Sequence, residues 1–162
     1  MLHLREMKDQ EFPIYCDYFI ADYSDEIVLN YGHSKEVATD LAKKDLKRHF
    51  PDGLNNSEHH LLCLELQNAA YPPIVIGYLW HSNKDDEGAT FIYDFYVSDE
   101  YRGKGYGKEA IKLFESLLMT MGVTQIKLRV AFQNKRALTL YQDVGFCISG
   151  YNMSKRLTYP NG

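Results

Sequence analysis

Val97-Ser98-Asp99-Glu100-Tyr101-Arg102-Gly103-Lys104-Gly105-Tyr106-Gly107-Lys108 sets three alternate glycines between a strand-like run and a helix-like run. Glycine lets the backbone turn tightly and bring bare N–H groups close to an anion, and a following helix adds the positive end of its dipole. The stretch reads as a phosphate cradle at a strand-to-helix junction; the simpler alternative is a connecting turn. Spacing excludes two other phosphate-binding patterns. A dinucleotide fingerprint needs a sixth-position glycine where this chain has Lys108, and no G-x-x-x-x-G-K-[ST] loop is present.

Working outward, Thr90 to Val97 reads as the strand that leads into the cradle. Leu61 to Leu66 and Ile74 to Trp80 are strand-like before it, joined through Ala69-Ala70-Tyr71-Pro72-Pro73, and a polar turn spans Asn83 to Gly88. After it, a helix starts near Gly105 with Ile111, Phe114, Leu118 and Met121 on one face, and Gly122 ends it. Ile126, Leu128 and Val130 alternate with Lys127 and Arg129 as a strand, and a helix runs from Asn134 to about Val144 with Gly145 after it. Phe146 to Tyr151 and Met153 to Leu157 are expected to close as strands. At the other end, His3 to Met7 suggests a first strand. Phe12, Tyr15, Cys16, Phe19 and Tyr23 recur at helical spacing, and Ser34 caps a second helix with apolar positions Val37, Leu41 and Leu46. The expected fold is α/β: a single domain over 1–162 with a mixed, twisted sheet flanked by helices.

At 162 residues and 45 % hydrophobic content, the chain suits one domain with a substantial core. No run approaches the roughly 18 apolar residues of a membrane span, and the N-terminus lacks a signal-peptide core, so a non-membrane, unexported protein is expected. Cys16, Cys63 and Cys147 lie far apart without a CxxC pair, which favours a cytoplasmic setting over a disulfide framework or zinc site. His59-His60 lacks ligand spacing and reads as a polar loop, so no metal is expected. A net charge of −4 disfavours nucleic acid as a partner. Tyrosine occurs 13 times, and Tyr15, Tyr18, Tyr23 and Tyr31 fall close together in the first third, where amphipathic rings suit both a half-buried helix and a pocket wall.

The element order, the loop from Arg102 to Gly107, and the block Asn134-Lys135-Arg136-Ala137-Leu138-Thr139-Leu140-Tyr141-Gln142-Asp143-Val144-Gly145-Phe146 together resemble the GCN5-related N-acetyltransferase superfamily. The resemblance is strongest from Tyr93 to Phe146, and Asn-x-x-Ala-x-x-x-Tyr-x-x-x-Gly-Phe is its most specific part. It implies an acetyl-CoA-binding and catalytic core at 93–146 and a variable acceptor-side region at 1–60. Acetyl-CoA is then the cosubstrate and an amine the acceptor. Backbone amides of Arg102, Gly103, Lys104, Gly105, Tyr106 and Gly107 would hold the pyrophosphate, and Lys104, Lys108, Lys135 and Arg136 could meet CoA phosphates. The family splays its fourth and fifth strands, so Tyr96 and Val97 would offer backbone groups to the pantetheine arm. Asn134 has two compatible readings, as a helix cap and as a pantetheine contact. Many members dimerise, and no stretch here marks a subunit interface.

Tyr141 lies two helical turns beyond Asn134 and so on roughly the same face. The resemblance gives it the role of general acid toward the departing CoA sulfur; the plainer reading is a core tyrosine. On the acceptor side, related polyamine and aminoglycoside enzymes often carry Glu-Asp where this chain has Tyr93-Asp94. Asp94 matches and Tyr93 replaces the Glu, which leaves Asp94 as base, ammonium ligand or backbone tie. Some protein N-terminal acetyltransferases use a Glu five residues before the motif Asn, where this chain has Arg129, so that subclass loses support. Glu65 sits among leucines and needs a partner or a raised pKa; His81 reads as structural or exposed. Cys63 and Cys147 lie in apolar strand-like runs and read as buried thiols rather than acyl carriers. The leading expectation is direct acetyl transfer to the primary amine of a small molecule or peptide. The alternative is an acyl-CoA-binding sensor or assembly module with little transfer activity.

Overall fold

The computed structural model describes residues 1–160. Five strands form one sheet in the order β1-β2-β3-β4-β5: β1 (Leu2–Glu6), β2 (His59–Asn68), β3 (Tyr71–Ser82), β4 (Ala89–Val97) and β5 (Gln125–Leu128). The first four pair antiparallel and β5 joins β4 in parallel. Helices α1 (Phe12–Tyr31) and α2 (Lys35–His49) precede β2, α3 (Tyr106–Thr120) connects β4 to β5, and α4 (Lys135–Asp143) follows β5.

The sheet is apolar on both faces, so each must be covered. On one face Ala110, Ile111, Phe114 and Leu118 of α3 pack on Leu62, Leu64, Ile76, Leu79 and Ile92. On the other, Tyr15 and Phe19 of α1 and Leu46 of α2 pack with Leu61, Cys63 and Trp80. The expected α3 stripe holds except at Met121, which lies past the helix and is exposed. In α2 the apolar face is rotated from expectation. Val37 and Leu41 are exposed, whereas Ala38, Ala42 and Leu46 are buried. Ala38 and Ala42 meet Ile27 of α1, where small side chains let the two helices close on each other.

Three local expectations are corrected. Tyr71, Pro72 and Pro73 belong to β3, which leaves Ala69-Ala70 as the turn. The prolines are tolerated because β4 pairs with β3 only from Gly77 to His81, so at Pro72 and Pro73 β3 has β2 alone as neighbour. His59-His60 is not a loop but the start of β2, and His59 accepts a hydrogen bond from the Trp80 indole at 3.1 Å. Residues 146–160 form no strand. Ile148, Tyr151, Met153 and Leu157 are all exposed, Met153 at 94 %. Alternating apolar residues make a strand only where an edge pairs with them and a face buries them. Cys147 is accordingly exposed, unlike the fully buried Cys63.

Gly77 marks the tightest contact between β3 and β4. A Cβ there would collide with the Tyr96 backbone carbonyl and crowd the Leu64 side chain at 3.2 Å. Backbone cannot yield as a side-chain tip can. Gly77→Ala is expected to lower unfolding free energy by about 3 kcal/mol, the upper end for overpacking, read as a fall in urea midpoint at unchanged slope.

Candidate active site

β4 has two different partnerships along its length. Ala89 to Ile92 pair in parallel with Gln125 to Leu128, and beyond Ile92 the strand continues to Val97 with β3 alone. β5 ends at Leu128, so the two strands part and the carboxyl-terminal half of β4 keeps one open edge. A register break sits at the same place. Trp80 opposes Asp94 and His81 opposes Ile92, so Tyr93 is an extra residue on β4. Such a bulge re-aims side chains. Tyr93 stacks on Trp80 with ring centroids 4.9 Å apart, and its neighbour Asp94 also points to the α1 side, where Tyr15 and Tyr18 reach it.

The cradle follows directly. Asp99–Tyr101 makes one 3-10 turn, and Gly103 (φ +72°) and Gly105 (φ +86°) take left-handed backbone before α3 begins. Gly105 caps α3 with no side-chain hydrogen bond, which leaves first-turn amides for an anion. Open space surrounds the Cβ direction of both glycines. Gly107 has another reason to be glycine: a Cβ there would lie 3.1 Å from Leu140, so it lets α4 pack close to α3. Tyr106 packs toward the α3-side core.

The basic candidates have varied surroundings. Arg102 folds back on β4: its Nε donates to the Val97 carbonyl at 2.7 Å, its guanidinium lies 5.4 Å from the Tyr96 ring centroid, and it pairs with Asp99. The expected free backbone at Tyr96 and Val97 is therefore partly engaged, since the Tyr96 carbonyl also faces Gly77 of β3. Lys104 lies over the Tyr101 ring and Lys135 over Phe132. Lys108 sits 3.4 Å from Asp143, tying α3 to α4, and Arg136 is exposed. Asn134 caps α4, its side-chain oxygen accepting from the Ala137 N–H at 3.1 Å.

α4 carries Tyr141 inward. It is 8 % exposed, its ring packed edge-on against Phe146 at 5.5 Å and near Phe95 at 6.4 Å. Its hydroxyl has no protein partner among the described residues and is not sealed from solvent. Burial raises its pKa and the Asp94 charge adds to the rise, so Tyr141 is a neutral phenol with a proton to give. Asp94 accepts hydrogen bonds from Tyr15 at 3.0 Å and Tyr18 at 3.1 Å, one on each carboxylate oxygen. Burial pushes it up to about 7; the two phenols oppose the rise, and the charges of Asp22 and Glu26 add to it. A carboxyl with that pKa can take or give a proton near neutrality.

Tyr15 and Tyr18 are the site residues that sequence reasoning missed. Their crowding in α1 hinted at a pocket wall, but nothing local pairs them with a residue more than 70 positions away. The other polar candidates are structural. Glu65 is held below the usual carboxylate range by Gln67 and by Arg5, whose guanidinium also grips Glu11, so this network ties β1 and β2 to the start of α1. His81 is buried and pushed down to about 4, its ring stacked on His60.

The parted strands, the uncapped helix behind a glycine loop and the inward phenol coincide with a known family. The chain belongs to the acetyltransferase (GNAT) family, whose sequence pattern matches residues 14–146, and it is an acetyl-CoA-dependent N-acetyltransferase. It is 33 % identical over 156 residues to the uncharacterized N-acetyltransferase YycN of Bacillus subtilis (strain 168), spanning 95 % of this chain and 97 % of that one. The YycN crystal structure superposes with a TM-score of 0.88 at 32 % identity, covering 98 % of this chain and 100 % of that one. A thialysine N-epsilon-acetyltransferase from Bos taurus is 36 % identical over 93 residues, 54 % of this chain and 55 % of that one. The fold also matches the PaiA N-acetyltransferase from Thermoplasma acidophilum in complex with coenzyme A, with a TM-score of 0.69 at 16 % identity over 94 % of this chain and 93 % of that one. No helix among the described residues is long and apolar enough to cross a membrane.

Two outcomes follow from this geometry. Gly105→Val forces a β-branched residue into left-handed backbone, at about 1–2 kcal/mol, and should weaken acetyl-CoA binding by about tenfold in calorimetric titration. For Asp94, the folded state holds a proton that the unfolded chain releases at its ordinary pKa of 3.8. Its stabilising contribution is complete below about pH 4 and lost as pH rises through about 7. Urea unfolding from pH 4 to 8 should therefore shift relative stability toward Asp94→Asn by up to about 4 kcal/mol.

Proposed function

We propose that the protein transfers the acetyl group of acetyl-CoA by direct attack of an amine, with 93–146 as the cosubstrate and catalytic side and 1–60 as the acceptor side. The observation that carries this reading is the parting of β4 from β5 beside the open N-terminus of α3, with Tyr141 of α4 packed near Phe95, the residue next to Asp94. The residues fit the cosubstrate: the amides from Arg102 to Gly107 and the open N-terminus of α3 suit its pyrophosphate, the groups of Tyr96 and Val97 left unpaired by β5 suit the pantetheine amides once Arg102 releases the Val97 carbonyl, and Asn134 would meet the same arm from the start of α4. Lys104, Lys108 and Arg136 form a basic rim for its phosphates. Bound there, acetyl-CoA supplies an activated thioester.

Asp94 accepts the proton that the amine must lose before or during attack. As the acyl carbon–sulfur bond breaks, the Tyr141 hydroxyl gives its proton to the sulfur; the surplus proton on the newly acylated nitrogen restores the phenol through solvent, and Asp94 returns its own proton to solvent. Asp22 and Glu26, whose charges are felt at Asp94, favour a cationic acceptor. A small molecule with a side-chain primary amine suits this field, as the name of the thialysine relative suggests. No covalent enzyme intermediate is required: Cys63 is buried beside the Glu11 carboxylate, and burial and that charge raise its pKa to about 11, while Cys147 is at the surface. The three thiols, all unpaired, fit a reducing cytoplasm.

Calorimetric titration with acetyl-CoA, CoA and ATP, followed by an amine panel of thialysine, lysine, polyamines, an aminoglycoside and a short peptide, tests this. Preferential binding of acetyl-CoA and CoA with turnover of at least one amine supports the reading. Binding without turnover across the panel would favour an acyl-CoA sensor instead. Tyr141→Phe should leave acetyl-CoA affinity unchanged and lower kcat by about 10²-fold or more; an unchanged kcat would remove Tyr141 from the mechanism.

A further inference from the structure

Asp94 is held from outside its own sheet. Its neighbours on β4 and β3 are Tyr93, Phe95 and, across the register, Trp80, and no side chain of the sheet hydrogen-bonds to it among the described residues. Both of its bonds come from α1, three residues apart and so on one helical face. Neither phenol is free to wander. Tyr15 is fully buried, edge-on to Tyr78 at 5.1 Å and tilted against Phe19 at 6.0 Å. Tyr18 lies over Tyr96 at 4.2 Å and beside Tyr78 at 5.5 Å.

We propose that Tyr15 and Tyr18 are positioning residues of the transfer reaction, which clamp Asp94 by both oxygens and fix its direction and its readiness to accept a proton from the acceptor amine. This rests on the reading of Asp94 as the group that meets the amine. A carboxylate has about four acceptor positions, so two phenols on separate oxygens leave lone pairs for the incoming nitrogen while removing rotation about the carboxyl. The phenols act on the charged form: each donates to it, and each gives up little by doing so, because neither ionises. Burial drives the pKa of both phenols up, and the Asp94 charge drives it further. The other groups that face or act on Asp94 are Asp22 and Glu26 of α1, Tyr141 of α4, and the rings of Tyr78 on β3 and Tyr96 on β4. Of these, Asp22 and Glu26 disfavour its charge. The phenols are its stabilising partners, so without them Asp94 should hold its proton to higher pH.

The deciding experiment is carboxyl 13C NMR titration of the full chain labelled at aspartate, with Asp94→Asn to assign the resonance, in wild type, Tyr15→Phe, Tyr18→Phe and the double variant. Each lost bond to the carboxylate should move the Asp94 midpoint up by about one pH unit, and the double variant should move it further. The acidic limb of kcat/KM, with whichever amine of the panel turns over fastest, should move in step while acetyl-CoA affinity stays constant. A midpoint that does not move in Tyr18→Phe, whose ring is retained, overturns the proposal even if Tyr15→Phe unfolds the protein. The underlying reading fails separately: an Asp94→Asn enzyme with wild-type kcat/KM and pH profile would remove Asp94 from the reaction, whatever the phenols do to its titration. In the Asp94→Asn background the tyrosine substitutions should add no further loss of kcat.

Discussion

One strand has to satisfy incompatible neighbours, and the site is the result. β4 pairs in parallel with β5 at its start and has β3 alone along its second half, and the bulge at Tyr93 falls where the change occurs. An unbroken ladder would bond both edges of β4 and turn alternate side chains to opposite faces. Breaking it at Tyr93 leaves an open edge from there to Val97 and turns Asp94 toward α1. Gly77 is part of the same arrangement, because β3 comes close enough to the Tyr96 carbonyl that no side chain fits between them. The order of elements does the rest, since a strand that ends at a splay and feeds the N-terminus of α3 brings helix amides and open backbone to the same place.

Asp94 is held at an energetic cost. Aromatic rings surround Asp94, and its raised pKa means that its charge is disfavoured in the folded protein. The ring cluster that imposes this cost is also what closes α1 onto the sheet, with Tyr15, Tyr18, Tyr78 and Tyr96 in mutual contact. The apolar packing that stabilises the α1 side thus creates the environment that tunes the carboxyl. By contrast, the Arg5 network with Glu11 and Glu65 carries charge in the same layer without such tuning. There each carboxylate has a guanidinium partner, and both lie below the ordinary range. Among the described residues Glu11 and Glu65 have a guanidinium partner and Asp94 has none, so burial, the largest cause of the Asp94 rise, is opposed there by phenols alone.

Legibility in the sequence followed the range of the interactions. The glycine turn into α3 was readable because glycine spacing and a helix start are local, and the block from Asn134 to Phe146 was readable because the cap, the inward tyrosine and the glycine that follows belong to one short helix and its ends. The bulge was not readable: Tyr93 looked like a replacement for an acidic residue, when its role in the fold is to be the unpaired residue that turns Asp94. Ala38 and Ala42 were passed over in α2 because larger residues seemed to define the face, yet close helix packing selects small ones. The C-terminal strands were misread because an alternating pattern states what a strand would look like without supplying the edge it must pair with. Tyr15 and Tyr18 were visible as a crowd, and only the tertiary fold gave them Asp94.

The same difference of range separates the two halves of the reaction. On the proposed reading the cosubstrate side would use backbone amides, a helix end and an open strand edge, which tolerate many side chains provided the glycines and the splay remain. The acceptor side of that reading would depend on side chains from α1, β4 and α4, with Asp94 held by the phenols of one helix and Tyr141 carried by another. Small shifts of α1 against the sheet would change the direction of Asp94 without disturbing the cradle. Under the proposed mechanism the direction of Asp94 follows how α1 seats on the aromatic cluster, so packing residues such as Phe19 and Tyr78 would act on it through that seating.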